Sequence, residues 1–376
     1  MNQNYFHNLL SAKPLGLFAT LLRPFLRLAS AFYAAAVGLR NLFYSNGLLK
    51  TYWLTTQGLN TSHKPQNPLP VISIGNLTAG GTGKTPLVIW LSSFLRRKNL
   101  KVAVLTRGYK TIDPLSDEPA ILAKNCPDAA VIVDPDRVRA AAKAVTKHNA
   151  QVIIMDDGFQ HRRLARDLDI VTIDATLPFG YEKILPAGLL REPLTALKRA
   201  HAAVITRADL LPEYKLVKLE NTLRQINPNL TIARAIHSPL CARALGNKLI
   251  SLEHLKPMKI FAFCGIGNPG AFFAAIKKLG LNLVGSAAFS DHHRYTSRDL
   301  ARISQQAGDF HANLILTTEK DWTKTALLVS HADNITFAYL PVELKFTAAE
   351  DKISLLIENA LASRIPKELN LKIQNA

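Results

Sequence analysis

Two short stretches hold the residues best suited to chemistry. Residues 75–86 read GNLTAGGTGKTP, and residues 152–158 read VIIMDDG. In the first, Thr78 and Ala79 lead into Gly80, Gly81, Thr82 and Gly83, whose backbone N–H groups can curl around phosphate oxygens. Glycine lets the chain approach the phosphates closely, and a following helix N-terminus adds partial positive charge. Lys84 supplies a cation for β- and γ-phosphates, and the Thr85 hydroxyl an oxygen ligand for Mg²⁺. Pro86 falls in the first helical turn, where a missing N–H costs little. One departure is visible: the G-x-x-x-x-G-K-[ST] pattern has its first glycine at position 78, where this chain has Thr78. The match is therefore to GGTGKT in its strand–loop–helix setting, which a ligand-free glycine turn does not account for.

The second stretch is an apolar run ending in Asp156 and Asp157. Strand ends of a parallel sheet open on the same crevice as a phosphate loop. Either carboxylate is thus placed to bind Mg²⁺ directly or through water. An apolar run ending in aspartate is weak on its own. Joined to GGTGKT it predicts a site for a nucleoside triphosphate, with ATP and Mg²⁺ as the expected pair.

Such a site needs strands to carry it. Apolar runs without alternation are expected as buried strands at Val71–Ile74, Val102–Leu105, Val131–Val133, Val152–Met155, Ile170–Ile173 and Ala203–Thr206. Helical patterns at Pro86–Arg97 and Arg137–His148 lie between them. This alternation predicts an α/β fold, a mostly parallel sheet with helices on both faces. Around residues 230–260 the pattern breaks into short irregular pieces. A second alternation begins at Ile260–Phe263, with a helix at Pro269–Leu279, a strand at Leu283–Ala288, a helix at Ser297–Ala307 and a strand at Leu314–Thr317. A smaller C-terminal α/β domain is expected there.

The chain has 376 residues, of which 48% are apolar and 20% charged, which suits two ordinary domains and excludes a disordered chain. Its net charge of +18 calls for an anionic partner: nucleic acid, a phosphorylated substrate or an acidic membrane surface. The bias is uneven, because no acidic residue precedes Asp113. That basic part also contains long apolar stretches between Pro14 and Trp53, which nucleic-acid contact does not need. The uninterrupted run Leu28–Leu39 is short of the roughly 20 residues a span requires. Leu15–Leu39 reaches spanning length only if the flanking Arg23, Arg27 and Arg40 snorkel to the headgroups. A helix lying in an anionic membrane interface fits at least as well, and packing on the protein's own core is the plain alternative. Residues 55–70 are turn-rich and read as a linker. Cys126, Cys241 and Cys264 are far apart, form no metal-ligand pattern and suit a reducing compartment.

The sequence around both sites resembles the tetraacyldisaccharide 4′-kinase family of lipid A synthesis. The matching pieces are GNLTAGGTGKTP (75–86), TRGY (106–109), SDEP (116–119), DPDRV (134–138), DDGFQHRRL (156–164), LPAGLLREP (185–193), FSDHHRY (289–295) and TTEKD (317–321). Leu189 stands where many relatives have proline. The resemblance implies an inner-membrane enzyme of Gram-negative bacteria, acting at the cytoplasmic face without an obligate protein partner or nucleic acid. It would transfer the γ-phosphate of ATP to the 4′-hydroxyl of an acylated disaccharide 1-phosphate glycolipid. It also implies a membrane-associated helical segment over 1–54, a P-loop NTPase-like core over 55–235, a two-stranded β linker over 236–259 and the C-terminal domain over 260–376.

By the same resemblance, Asp117 is the base that takes the hydroxyl proton, with Glu118 the competing candidate. An aspartate between Pro114 and Pro119 is otherwise an ordinary turn or cap residue. His292 would orient Asp117, with domain closure bringing the two together; a DHH string alone reads as a solvated loop or a metal site. Arg107, Tyr109, Arg137, Gln160, His161 and Arg191 would bind substrate or nucleotide phosphates, undivided between the two. Lys320-Asp321 within TTEKD reads either as a base-reading pair or as an ion pair at a helix start. Two rivals come from other classes. A membrane-associated regulatory ATPase of the K-G-G-x-G-K-T kind would need lysine at Ala79. A nucleic-acid-binding protein lacks a supporting motif.

Overall fold

The computed structural model describes residues 16–60, 65–66, 68–108, 117–239, 241–291, 293–329 and 335–364. Two compact units emerge. The first contains the chain up to Tyr109, Leu122–Ile236 and the segment from Leu344 onward. The second contains His237–Glu343 and the short stretch ending at Ile121.

In the first unit, α1 (Gly16–Ser45) precedes a small hairpin of β1 (Trp53–Thr55) and β2 (Gly58–Asn60). Then come β3 (Val71–Asn76), α2 (Lys84–Arg97), β4 (Val102–Thr106), α3 (Asp117–Asn125, whose residues up to Ile121 group with the second unit), β5 (Ala130–Val133), α4 (Arg137–His148) and β6 (Val152–Asp156). They are followed by β7 (Leu168–Asp174), β8 (Ala202–Thr206), α5 (Glu213–Ile226) and β9 (Thr231–His237). The second unit holds β10 (Cys241–Ala244), β11 (Leu249–Ser251), β12 (Lys259–Cys264), α6 (Pro269–Lys278), β13 (Asn282–Ala288), α7 (Ser297–Asp309), β14 (Leu314–Thr318), α8 (Glu319–Thr325) and β15 (Thr336–Leu340). Finally β16 (Leu344–Ala348) and α9 (Glu350–Ala362) rejoin the first unit.

The first sheet has eight strands in the order β16-β9-β8-β7-β3-β6-β4-β5, and from β9 to β5 every pair is parallel. Its five central strands, β8, β7, β3, β6 and β4, are buried on both faces, which is why they read as continuous apolar runs. On one face Ile72, Ile74, Val104 and Ile154 pack against Leu87, Leu91 and Leu95 of α2 and Ile353 and Ile357 of α9. On the other, Val71, Leu105, Ile153 and Met155 pack against Val138, Ala141 and Ala144 of α4. Leu91 is fully buried, and truncating such a leucine to alanine costs about 2–5 kcal/mol.

Three boundaries differ from the sequence expectation. Residues 236–259 are not a separate linker, because β10 and β11 form the antiparallel edge of the second sheet, ordered β11-β10-β15-β14-β12-β13. The C-terminal domain does not run to the end of the chain. The apolar face of α9 is buried in the first core, and β16 adds to the first sheet. The expected linker at 55–70 is partly core at its end, since Leu69 is buried beside Val71 and Leu105.

The N-terminal helix also departs from one alternative. Among the described residues no helix is long and apolar enough to cross a membrane. Instead α1 docks on its own unit through Ser30, Tyr33, Arg40 and Asn41. Its opposite side leaves Phe25, Leu28, Phe32, Leu39 and Leu42 exposed. Those five recur at helical spacing and form one stripe.

Candidate active site

The phosphate loop joins β3 to α2. Gly83 caps α2 in the left-handed region at φ 84°, and Gly80 lies at φ 120°, conformations that glycine adopts without strain. Side chains hold the loop from beneath. Asn76 Nδ2 donates to the Thr78 carbonyl at 2.7 Å. The hydroxyls of Thr82 and Thr172 are 2.7 Å apart, and Thr206 Oγ1 donates to the Thr82 carbonyl at 2.8 Å. Arg207 Nη1 donates to the Gly81 carbonyl at 3.1 Å, while its guanidinium is ion-paired with Asp174. Gly80 and Gly81 stay exposed at the tip, and Lys84 and Thr85 are partly buried at the helix start. A loop fixed from below with its tip open is organised for an anion above it.

The acidic pair stands beside this loop because β3 and β6 are neighbours, with Ile74 opposite Asp156. The Asp156 carboxylate accepts from Thr106 Oγ1 at 3.1 Å. Asp157 follows at φ 52° and faces two cations. Lys84 Nζ lies 3.5 Å from Asp157 Oδ1, and Arg191 Nη1 is 2.8 Å from Oδ2. Burial pushes the Asp157 carboxyl up, but Lys84 and Arg191 outweigh it and hold it below the usual range. The pair can come this near the loop because Gly75 has no side chain. A Cβ there would fall 2.7 Å from the Phe159 nitrogen. Gln160 Nε2 adds a bond to the Asn76 carbonyl at 2.9 Å.

The remaining expected residues divide. Arg107 is exposed just beyond the end of β4. Arg137 opens α4 almost wholly buried, and its two Nη atoms donate to the backbone carbonyls of Asp134 and Asp156 at 2.8 and 3.0 Å. Those atoms brace the strand end that bears the acids. Burial depresses its pKa, opposed by Asp156 and Asp157. The rest of DPDRV starts the helix: Asp136 caps α4, and Asp134 is held by Arg139 and Lys143. His161 is pushed down to about 4 by burial and by Arg137, Arg166 and Arg163, so it is neutral at pH 7. Its Nε2 and Gln160 Oε1 are buried without a hydrogen-bond partner among the described residues.

Tyr109 and His292 lie outside the described residues, and Asp117 is placed as the first residue of α3 rather than in a loop. In the second unit the TTEKD segment closes on itself. Asp321 is fully buried and accepts from the Gly265 N–H, the Tyr295 hydroxyl and the Thr318 hydroxyl at 3.0, 3.0 and 2.6 Å. Thr318 in turn caps α8. A carboxylate so engaged ties together the joints after β12, β13 and β14 from within. Lys320 lies 3.4 Å from Asp291.

Sequence reasoning missed Asn76, Thr172, Thr206, Arg207 and Glu192. Asn76 and Glu192 sit inside singled-out motifs, so a signal existed. Thr172, Thr206 and Arg207 come from strand ends with no local pattern, and only the parallel register gathers them.

The model of the tetraacyldisaccharide-1-P 4′-kinase family matches residues 22–362. A tetraacyldisaccharide 4′-kinase of Halothermothrix orenii is 32% identical, over 92% of this chain and 95% of that protein. One from Syntrophus aciditrophicus is 36% identical over 91% and 93%. The crystal structure of LpxK from Aquifex aeolicus in complex with ATP is similar at 28% identity and TM-score 0.66. That likeness covers 90% of this chain and 99% of the other. With a family model matched over most of its length and relatives this similar, the chain belongs to the tetraacyldisaccharide-1-P 4′-kinase family.

Proposed function

We propose that this protein transfers the γ-phosphate of ATP to the 4′-hydroxyl of a tetraacyldisaccharide 1-phosphate, a step of lipid A synthesis at the cytoplasmic face of the inner membrane. The observation that carries this reading is the placement of Lys84, at the start of α2, beside the acidic pair that ends the adjacent parallel strand.

The donor set fits Mg²⁺. Thr85, Asp156 and Asp157 offer hard oxygen ligands. Among the described residues no cluster of three His, Cys, Asp or Glu side chains could hold a metal alone. A cation bound through one or two carboxylates plus substrate phosphates needs no such cluster. When bound it would neutralise charge developing on the phosphate oxygens. Backbone N–H groups of residues 80–83 cradle the β-phosphate, and Lys84 and Arg191 place positive charge along the transferring group. Asp117 accepts the 4′-hydroxyl proton as that oxygen bonds to phosphorus and the bond to the ADP oxygen breaks. His292 orients Asp117. Arg107, Tyr109, Gln160 and His161 are assigned to the phosphates and sugar of the substrate.

The exposed stripe of α1 supplies the membrane contact. Phe25 and Phe32 are each 70% exposed, with the exposed Arg27 on the same helix to meet anionic headgroups. The test is ATP-dependent phosphorylation of the disaccharide 1-phosphate in mixed micelles and in anionic vesicles. The expected result is a product carrying one added phosphate at the 4′ position.

A further inference from the structure

Helix α1 is bonded to one segment of its unit with unusual density. Ser30 Oγ donates to the Ile184 carbonyl and accepts from the Ala187 N–H, both at 2.9 Å. Tyr33 donates to the Arg191 carbonyl at 3.2 Å. Arg40 Nη2 and Asn41 Nδ2 reach the two oxygens of Glu192 at 3.2 and 3.1 Å. All these partners lie between residues 184 and 192.

The same segment fastens the phosphate loop. The Ala79 N–H donates to the Leu189 carbonyl and the Arg191 N–H to the Leu77 carbonyl, each at 2.7 Å. Thr78 and Leu190 form a bridge between those bonds. The Arg191 side chain goes on to Asp157. Glu192 is completely buried, its charge met by Arg40, Asn41 and, at 2.7 Å, Arg199. A buried carboxylate that loses a partner makes its surroundings rearrange. Here those surroundings are the residues next to Arg191.

We propose that α1 is a positioning element of the phosphoryl-transfer site: Arg40 and Asn41, acting through Glu192 and the 184–192 segment, set the phosphate loop and Arg191 for ATP. The two sides of the helix then have separable duties, the docking side governing the nucleotide and the apolar stripe governing the lipid surface. The proposal rests on reading GGTGKT as the nucleotide site.

The experiment uses the full-length chain. Arg40→Ala, Arg40→Lys and the double variant Phe25→Ser/Phe32→Ser are compared with wild type. The readouts are ATP KM, kcat on detergent-dispersed disaccharide 1-phosphate, and sedimentation with phosphatidylglycerol vesicles. Circular dichroism and thermal unfolding establish folding. Arg40→Ala is expected to raise the ATP KM about tenfold and to keep vesicle binding, the loss of a charge-assisted bond being felt as misplacement of the loop. Arg40→Lys should recover most of it. The double variant should lose vesicle binding and keep the ATP KM. Should Arg40→Ala not fold, Asn41→Ala, which removes no charge, takes its place and should raise the ATP KM in the same direction. A folded Arg40→Ala or Asn41→Ala protein with wild-type ATP KM and kcat overturns the proposal, as does an equal rise in ATP KM in the stripe variant. Lys84→Ala separates the premise: if it keeps wild-type turnover the nucleotide site is misassigned. If it is inactive while Arg40→Ala is normal, only the role of α1 fails.

Discussion

Lys84 Nζ lies 3.5 Å from Asp157 Oδ1, so the lysine of the phosphate loop and an acid of the neighbouring strand neutralise one another across β3 and β6. Arg191 shares that carboxylate. On the proposed function this set would rearrange, since a triphosphate would attract the two cations and Mg²⁺ the acid.

From this follows the behaviour of Asp157→Asn. The protein should keep ATP affinity, because the cations lose their competitor, and kcat should fall by about 10²–10³ with a raised Mg²⁺ requirement. Steady-state kinetics over a Mg²⁺ titration checks it. An unchanged Mg²⁺ dependence would remove Asp157 from the metal site.

Asp117 and His292 are expected to act as one unit. Each alanine substitution should lower kcat by about 10²–10⁴, and the double variant far less than the product of the singles. ATP binding should survive in both singles. Fully multiplicative effects would separate the two residues. An active Asp117→Ala beside an inactive Glu118→Ala would move the base by one position.

His161 makes a stability prediction. Its folded pKa of about 4 is below the unfolded value of 6.5. Between these values the unfolded chain holds a proton that the folded chain does not, so stability falls as pH drops through that window. The loss is on the order of 3 kcal/mol by pH 4. His161→Gln should flatten the change in urea midpoint between pH 7 and pH 5. An unaltered slope would show that His161 is not the group responsible.

Asp321 braces three joints, so Asp321→Ala orphans the Gly265 N–H and the Tyr295 and Thr318 hydroxyls. Destabilisation of about 2–4 kcal/mol is expected, read as a lower unfolding midpoint. Tyr295→Phe removes one of the three bonds and should cost less. If Asp321→Asn altered ATP affinity with stability unchanged, the base-reading alternative for TTEKD would return.

The central strands were legible because burial on both faces writes them as unbroken apolar runs, and the helix at Arg137–His148 has the expected ends. The edges were not. Cys241–Ala244 and Leu249–Ser251 are too short to show a period, and nothing local says which sheet Leu344–Ala348 joins. Within the site, GGTGKT and the acidic pair could be read directly. The Arg40–Glu192 pair spans 152 residues and exists only once α1 is docked. At Arg137 the structure adds what sequence does not display: its Nη atoms donate to two backbone carbonyls.

The central claim is phosphoryl transfer from ATP at the site built on Lys84. The most direct measurement incubates wild type and folded Lys84→Ala protein with ATP, Mg²⁺ and the tetraacyldisaccharide 1-phosphate, and locates any new phosphate by mass spectrometry. The account predicts a 4′-phosphorylated product with wild type and a loss of at least about 10³ in rate with Lys84→Ala. ATP hydrolysis by wild type without phosphorylated lipid, or equal product from the variant, would contradict it.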